Sequence, residues 1–175
     1  MRKFLFLFVG LTNVMSIVKG QELPEYNNSA TAWNRKLNQS VPLSPEEGLR
    51  KNKTAGAMMG KVKIVMHFDG AKSKARIAAE DTLKIFAKVD KDVNPQGLFK
   101  IYRASISGGD REVLVLKSSL GKGVERSDGD FPYTVKKISP GIVRVNILNV
   151  KPGDELLFYI GTHETSLAKL TLGID

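Results

Sequence analysis

The stretch IVRVNILNVKPGDELLFYIG, residues 142–161, contains the two apolar-rich runs that decide the fold. In the first run Val143, Val145 and Ile147 recur at every second position, which is typical of a strand with one buried face. The Pro-Gly pair at 152–153 predicts a type II turn, because proline fixes φ at the second turn position and glycine accepts the positive φ of the third. Type II turns match the twist of a tight hairpin less well than the primed turns do. The stretch therefore predicts two core strands whose connection crosses from one sheet to another.

The same period of two continues along the chain from residue 60 onward. It forms short apolar runs separated by Gly, Pro, Asn and Asp clusters, for example at 94–97, 107–110 and 139–141. No intervening segment has a helical pattern long enough for a parallel crossover. The pattern predicts an all-β fold, an antiparallel sandwich of about eight strands over residues 58–175, with a small barrel as the alternative.

Residues 1–20 have the features of a signal peptide. A basic start at 1–3 precedes a compact apolar run at 4–11, and Val18 and Gly20 occupy the −3 and −1 positions of a cleavage site. The apolar run is shorter than the roughly 20 residues that a membrane-spanning helix needs. We therefore expect an exported protein, periplasmic, outer-membrane-associated or secreted, with no transmembrane segment after signal removal.

The next segment, residues 21–57, is rich in Asn, Ser, Pro, Lys and Glu. This composition predicts a mostly irregular N-terminal arm that tethers the domain or contacts a partner. Within it, Ser44-Pro45-Glu46-Glu47 has the residues of a capping box with proline at the first helical position, which predicts a short helix near 44–51.

Composition limits the possible functions. The 175 residues can bury one good core, and the absence of cysteine excludes disulfides and thiolate chemistry. The net charge of +9 falls to +6 if Arg2, Lys3 and Lys19 leave with the signal peptide. No nucleic-acid-binding motif accompanies this charge, so nucleic acid is not an expected partner. An envelope protein, an acidic polymer or an anionic surface is the expected class of partner.

Basic residues suggest where such a partner would bind. Lys72, Lys74 and Arg76 alternate, which on an extended strand places them on one face about 7 Å apart. Together with Lys61 and Lys63 they form the candidate partner-binding stripe. The alternative is that these charges protect a sheet edge from pairing with other chains.

Enzyme signatures are weak, and we expect no catalytic residues and no cofactor. His67 and His163 are the only histidines, both fall in polar surroundings that favour exposure, and no Gly-x-Ser-x-Gly elbow accompanies them. The alternative function is a secreted carbohydrate-active or other hydrolase that uses loop carboxylates. The candidates for that role are Asp128, Asp130, Asp154 and Glu155.

The best metal candidate in the sequence is the segment Asp90-Lys-Asp92-Val-Asn94, where alternate oxygen-bearing side chains could converge on calcium. Pro95 stands where an EF-hand loop has its glycine. A strand-connecting loop is therefore the preferred interpretation, and no metal site is expected.

Two resemblances follow from these motifs. The segment 150–156, Val-Lys-Pro-Gly-Asp-Glu-Leu, resembles the Leu-x-Pro-Gly-x-x-Tyr connection between strands E and F of fibronectin type III domains, with Leu156 in place of the corner tyrosine. This resemblance implies that the sandwich is immunoglobulin-like or fibronectin III-like. Four short pieces also resemble, in order, a pattern of uncharacterised secreted β-sandwich proteins of Bacteroidetes-type bacteria. They are Gly70-Ala-Lys-Ser73, Asn94-Pro95, Asp110-Arg111 and Pro152-Gly-Asp154.

The second resemblance implies export and a β-sandwich but no activity. It also gives meaning to Asp81-Thr82-Leu83, which is similar to the O-glycosylation acceptor of exported proteins in that bacterial group and makes Thr82 a candidate modification site. We therefore expect a non-enzymatic binding or structural module of the bacterial cell envelope.

Overall fold

The computed structural model describes residues 22–55, 61–119, 123–126, 129–161 and 166–175. The predicted signal peptide, residues 1–20, lies outside them. Within the described residues there are fifteen strands and no helix, so no helix there could cross a membrane. The strands are β1 (Ser29–Asn34), β2 (Gln39–Pro42), β3 (Ser44–Pro45), β4 (Leu49–Ala55), β5 (Lys61–Phe68), β6 (Arg76–Ile77), β7 (Thr82–Lys88), β8 (Phe99–Arg103), β9 (Ser105–Ser107), β10 (Asp110–Ser119), β11 (Gly123–Arg126), β12 (Tyr133–Ser139), β13 (Ile142–Leu148), β14 (Glu155–Gly161) and β15 (Ser166–Ile174).

Sheet A has the strand order β12-β13-β7-β1-β2, and all its pairs are antiparallel. Its two central strands, β7 and β13, follow the alternation read from the sequence. Leu83 and Ile85 on β7 lie opposite Ile147 and Val145 on β13, and all four side chains are buried. One face of sheet A is therefore apolar and packs inward.

Sheet B has the order β3-β15-β14-β8, with the two residues of β6 added parallel to β15. Its central strand β14 reads Leu-Leu-Phe-Tyr-Ile at 156–160, without alternation. Such a run is typical of a strand that is covered on both faces. Leu156, Phe158 and Ile160 face sheet A, whereas Leu157 packs into a second cluster on the other side.

The main core lies between sheets A and B. Phe158 of β14 and Phe99 of β8 pack with ring centroids 5.3 Å apart, at the separation of a favourable aromatic pair. Apolar side chains from β1, β7, β13 and β15 surround them. This arrangement confirms the antiparallel β-sandwich, although the described residues form fifteen strands where about eight were predicted.

Sheet C packs on the opposite side of sheet B. It has the order β11-β10-β5-β4, and β9 pairs with the start of β10. Phe68, Met66 and Val113 of this sheet contact Leu157 and Tyr102 of sheet B, forming the second, smaller cluster. Sheet B is thus the middle of three layers.

The Lys151–Glu155 connection crosses between sheets as predicted, because β13 belongs to sheet A and β14 to sheet B. The Asp154 N–H donates to the carbonyl of Lys151 at 3.1 Å, and Gly153 has a φ of 85°. Both features are those of a type II turn.

The prediction of an irregular arm over 21–57 was wrong. The strands β1–β4 occupy most of that segment, and β1 lies inside sheet A between β7 and β2. The predicted helix near 44–51 was also wrong, because Ser44–Pro45 form β3 on the edge of β15 and β4 begins at Leu49. Tertiary pairing overrides the capping-box pattern there, since Ser44 and Pro45 pair with Thr171 and Leu170 of β15. The next residue, Glu46, binds the buried Arg111.

Candidate functional site

A buried group of charges lies at the start of β14, beside the 70–77 segment that ends in β6 next to β15. The Glu155 carboxylate accepts hydrogen bonds from the Ser73 N–H at 2.8 Å, the Ser73 hydroxyl at 2.6 Å and Arg76 Nη1 at 2.6 Å. Arg76 Nε donates to Asp175 Oδ1 at 2.7 Å. The bond to Glu155 raises the pKa of Arg76, so the cation is favoured. Glu155 is 4% exposed, and its charge is compensated by these donors instead of by water.

Gly173 on β15 leaves the space for this pair. A Cβ atom at that position would lie 2.1 Å from Arg76 Nη1 and 2.9 Å from Glu155 Oε1. A side chain on residue 173 would therefore displace the Arg76–Glu155 ion pair.

Arg111 extends the group toward sheet C. Its Nη1 donates to the Ser73 hydroxyl at 2.8 Å, its Nη2 to Glu46 Oε2 at 2.6 Å and its Nε to the carbonyl of Gly70 at 2.9 Å. The guanidinium also lies 5.8 Å from the centre of the Phe68 ring. Arg111 is 3% exposed and has an acceptor for every nitrogen, so it joins sheets B and C as a structural residue.

Two of the four pieces that resemble the Bacteroidetes-type pattern meet in this network, and a third ends directly before it in the chain. Gly70 and Ser73 come from the first piece and bind Arg111 of the third. Asp154, from the last piece, directly precedes Glu155 and forms a two-point ion pair with Arg103 at 2.9 and 3.2 Å. The contacts of Arg111 with Gly70 and Ser73 join sheets B and C, and the Arg103–Asp154 pair fixes the turn before β14.

A second polar cluster lies at the end of β5 on the outer face of sheet C. His67 Nε2 is 3.2 Å from Asp110 Oδ2 and 3.9 Å from Asp69 Oδ1, and His67 Nδ1 is 3.6 Å from Glu112 Oε1. One ligand atom from each of His67, Asp69 and Asp110 lies within 4.8 Å of the others. The expectation that His67 is exposed was wrong, since its side chain is 10% exposed. His163 lies outside the described residues.

Glu112 connects this cluster to β4. It lies directly opposite His67 in the β5–β10 ladder and forms an ion pair with Lys53. The hydrogen bond from Lys53 holds the pKa of the Glu112 carboxyl below its usual range. Glu112 is therefore an anion at neutral pH, available to a protonated or metal-bound imidazole.

A row of lysines crosses the same outer face. Lys63 on β5 is the direct cross-strand partner of both Lys53 on β4 and Lys117 on β10. Lys51 lies two residues from Lys53 on the same face. All four are exposed, and among the described residues neither Lys63 nor Lys117 has a carboxylate within 4.0 Å. We call Lys51, Lys53, Lys63 and Lys117 the lysine row.

The predicted basic stripe survives only in part. Lys72 and Lys74 are exposed, but they lie in bends instead of a strand. Arg76 is not available for a partner, because it is bound to Glu155 and Asp175. Lys61 begins β5, and its side chain lies outside the described set. Lys63 is the one member that joins the lysine row.

The predicted calcium loop is a set of turns. Asp90 Oδ1 accepts the N–H of Asp92 at 3.1 Å, and Asn94 Oδ1 accepts the N–H of Gln96 at 3.0 Å. These bonds fix the loop between β7 and β8 with the side-chain oxygens of Asp90 and Asn94.

The loop carboxylates are also used by the fold. Asp130 accepts the N–H of Arg103 at 2.7 Å, Asp154 pairs with the same arginine, and Glu155 lies in the buried network. Asp128 lies outside the described residues. Thr82, the candidate modification site, begins β7 with a half-buried side chain.

An open groove of about 560 Å³ lies between the starts of β1 and β3 and the strand β15. Two of its lining residues are Glu46 and Glu47. Glu46 is occupied, because one oxygen binds Arg111 and the other accepts the Thr171 hydroxyl at 2.5 Å. Among the described residues Glu47 has no ion pair or side-chain hydrogen bond. The groove therefore offers one unengaged carboxylate, where glycoside hydrolysis uses two.

No protein-family model matches this sequence, and a comparison with curated proteins also gave no match. The resemblances to fibronectin type III domains and to the Bacteroidetes-type proteins remain predictions.

Proposed function

We propose that the protein is an exported, non-enzymatic binding module of the bacterial cell envelope that holds an acidic polysaccharide on the lysine row. The observation that supports this proposal is the direct cross-strand placement of Lys53, Lys63 and Lys117. Export is the part of the proposal that rests on the N-terminal sequence.

The lysine row costs stability in the free protein. Neighbouring strands lie about 4.8 Å apart, and two unit charges at that distance repel by roughly 1 kcal/mol in water. Like charges directly opposite one another are destabilising in a sheet, and among the described residues Lys53 is the one member of the row that forms an ion pair, with Glu112. A polyanion placed across the strands would remove this repulsion.

The geometry favours a linear acidic chain. The lysine row runs across three adjacent strands, so its charges repeat along a line perpendicular to them. A protein partner would require a desolvated apolar centre next to the charges. On this face Val65 is buried between the strands, and the exposed Leu49 lies opposite His67, away from Lys63.

Binding of polygalacturonate to the chain without residues 1–20 tests the proposal, with a neutral polysaccharide of similar length as the comparison. The test variant is Lys63→Gln/Lys117→Gln, and the matched control is Lys72→Gln/Lys74→Gln, which removes the same charge from exposed lysines elsewhere. Exposed ion pairs contribute up to about 1 kcal/mol each, so the test variant should bind about 5–30 times more weakly. Raising the salt concentration should weaken wild-type binding strongly.

Equal losses in both double variants would show that only net charge matters and would contradict the assignment to the lysine row. Equal binding of the neutral polysaccharide would contradict the electrostatic basis. Tighter binding of poly-glutamate than of polygalacturonate would replace the polysaccharide with an acidic polypeptide.

A further inference from the structure

We propose that His67, Asp69 and Asp110 form a binding site for a divalent transition-metal cation of the Zn²⁺ type, with Glu112 orienting the imidazole. This site is separate from polysaccharide binding and stands on its own geometry. The proposal concerns the end of β5, the turn that follows it and the start of β10.

The separations fit the coordination distances of zinc. Zinc binds histidine nitrogen and carboxylate oxygen at about 2.0–2.2 Å, so two tetrahedral ligands lie about 3.4 Å apart. The observed separations from His67 Nε2 are 3.2 Å to Asp110 and 3.9 Å to Asp69. The Asp69 side chain is 98% exposed, so it can rotate toward the cation without disturbing the core.

The imidazole has the second partner that a metal-bound histidine needs. Histidine ligands almost always donate their other ring N–H to a carboxylate, a carbonyl or water, which fixes the tautomer. His67 Nδ1 is buried without a hydrogen-bond partner and lies 3.6 Å from Glu112 Oε1. A small rotation of either side chain would form that bond, while Nε2 faces the two aspartates.

Backbone contacts hold the two aspartates in place. Asp110 Oδ1 accepts the N–H of Gly70 at 2.8 Å, which leaves Oδ2 facing His67. The buried Arg111 donates to the carbonyls of Asp69 and Gly70 at 3.1 and 2.9 Å, so these hydrogen bonds fix the backbone of the turn that carries Asp69. The ligands are therefore supported by contacts that do not depend on the cation.

The charge and donor set favour a borderline metal over calcium. A neutral imidazole and two carboxylates together carry two negative charges, which match the two positive charges of a divalent cation. The nitrogen ligand suits zinc, nickel or copper more than calcium or magnesium. Three protein ligands leave at least one coordination position for water or another ligand.

Isothermal titration calorimetry with ZnCl₂ on the signal-free chain at pH 7.5 tests the site, with CaCl₂ as the comparison cation. We expect one saturable zinc site per chain and a higher midpoint of thermal unfolding with zinc. Asp69→Asn should weaken zinc binding at least tenfold without loss of stability in the metal-free chain, because the side chain is exposed. Glu112→Gln should weaken it about 10–100-fold.

The control variants are His163→Gln, which removes the only other histidine, and Asp92→Asn, which removes an exposed carboxylate elsewhere. Both should bind zinc as the wild type does. If zinc binding is absent, if it persists in Asp69→Asn, or if it is lost in His163→Gln, the proposal is overturned. Stronger binding of calcium than of zinc would also overturn it. His67→Gln should also lose zinc binding, and if that variant fails to fold, the Asp69→Asn result decides.

Discussion

The substitution Glu155→Gln tests whether the buried charge network holds sheets B and C together. The wild-type carboxylate has two acceptor oxygens, of which Oε2 serves Ser73 twice and Oε1 serves Arg76. The new amide has one oxygen, which can face Ser73 or Arg76 but not both. The side that receives the NH₂ group is left with donor facing donor.

The structure allows the magnitude to be worked out. A hydrogen bond to a charged group contributes about 1.5–3 kcal/mol, and an unpaired buried donor costs about 1–3 kcal/mol. Removing one member of a fully buried ion pair costs about 3–5 kcal/mol. The Arg76 side chain is 23% exposed and keeps its bond to Asp175, so water and that carboxylate recover part of the loss. We expect the free energy of unfolding to fall by about 3 kcal/mol.

Equilibrium urea unfolding, followed by tryptophan fluorescence, measures this change. With a slope of about 2 kcal/mol per molar urea, the midpoint should fall by about 1.5 M. For a chain of this length the melting temperature should fall by about 6–12 °C. Glu47→Gln is the matched control, because Glu47 is exposed and surface changes usually stay within about 0.5 kcal/mol. If Glu155→Gln unfolds within 0.5 kcal/mol of that control, the network does not hold sheets B and C together and the reasoning is refuted.

Three further predictions follow from single contacts. Gly173→Ala should lower the free energy of unfolding by about 2–3 kcal/mol, because the added methyl displaces Arg76. In a double-mutant cycle measured by urea unfolding, the same change should cost less in an Arg76→Ala background. The hydrogen bond from Lys53 to Glu112 should stabilise the folded protein at neutral pH, and this contribution should be lost as the pH falls below about 4.3, because the unfolded carboxyl takes up a proton first. A difference in stability between the wild type and Glu112→Gln that does not shrink in acid would contradict this. Tyr133→Phe should lower the free energy of unfolding in urea by about 1 kcal/mol, because it removes the 2.6 Å hydrogen bond to the Phe99 carbonyl. Burial raises the pKa of Tyr133, so an ultraviolet titration of the wild type should show one tyrosine that ionises late, and the variant should lack it.

The strand content could be predicted where burial alternates locally. The run 142–148 and the turn at 152–153 carry their own signals, so the crossing between sheets was readable from about ten residues. The segment 29–55 was misread because its strands are short and polar or rich in small residues, as in SATAWN at 29–34. Ala30 and Ala32 are buried in the main core, but alanine carries little strand preference, so only pairing with β7 makes this segment a strand.

The buried network could not be predicted residue by residue. Glu155 and Asp154 are neighbours in an acidic turn, and no sequence pattern distinguishes the one that becomes buried from the other. The crossing turn sends Asp154 to Arg103 at the surface and Glu155 to Ser73 and Arg76 between the layers. A contact between residues 82 positions apart depends on tertiary packing, which no local spacing encodes.

The lysine row shows most clearly why a site on a sheet can be invisible in sequence. With simple alternation along β10, the face that carries Glu112 and Leu114 would continue with Leu116, and Lys117 would point to the opposite side. The irregularity between Leu114 and Leu116 inserts one residue into the ladder, so that Lys117 lies opposite Lys63. A bulge of this kind changes the face of every later residue on the strand. The same irregularity turns the apolar Leu116 away from the charged face, opposite Ile64. The outer face of sheet C therefore owes its third adjacent lysine to a backbone feature, because an unbulged ladder of the same residues would place Leu116 opposite Lys63. Deleting Val115 should remove the bulge and leave Lys117 opposite Lys63, so this variant should keep the lysine row and its binding of the acidic polysaccharide.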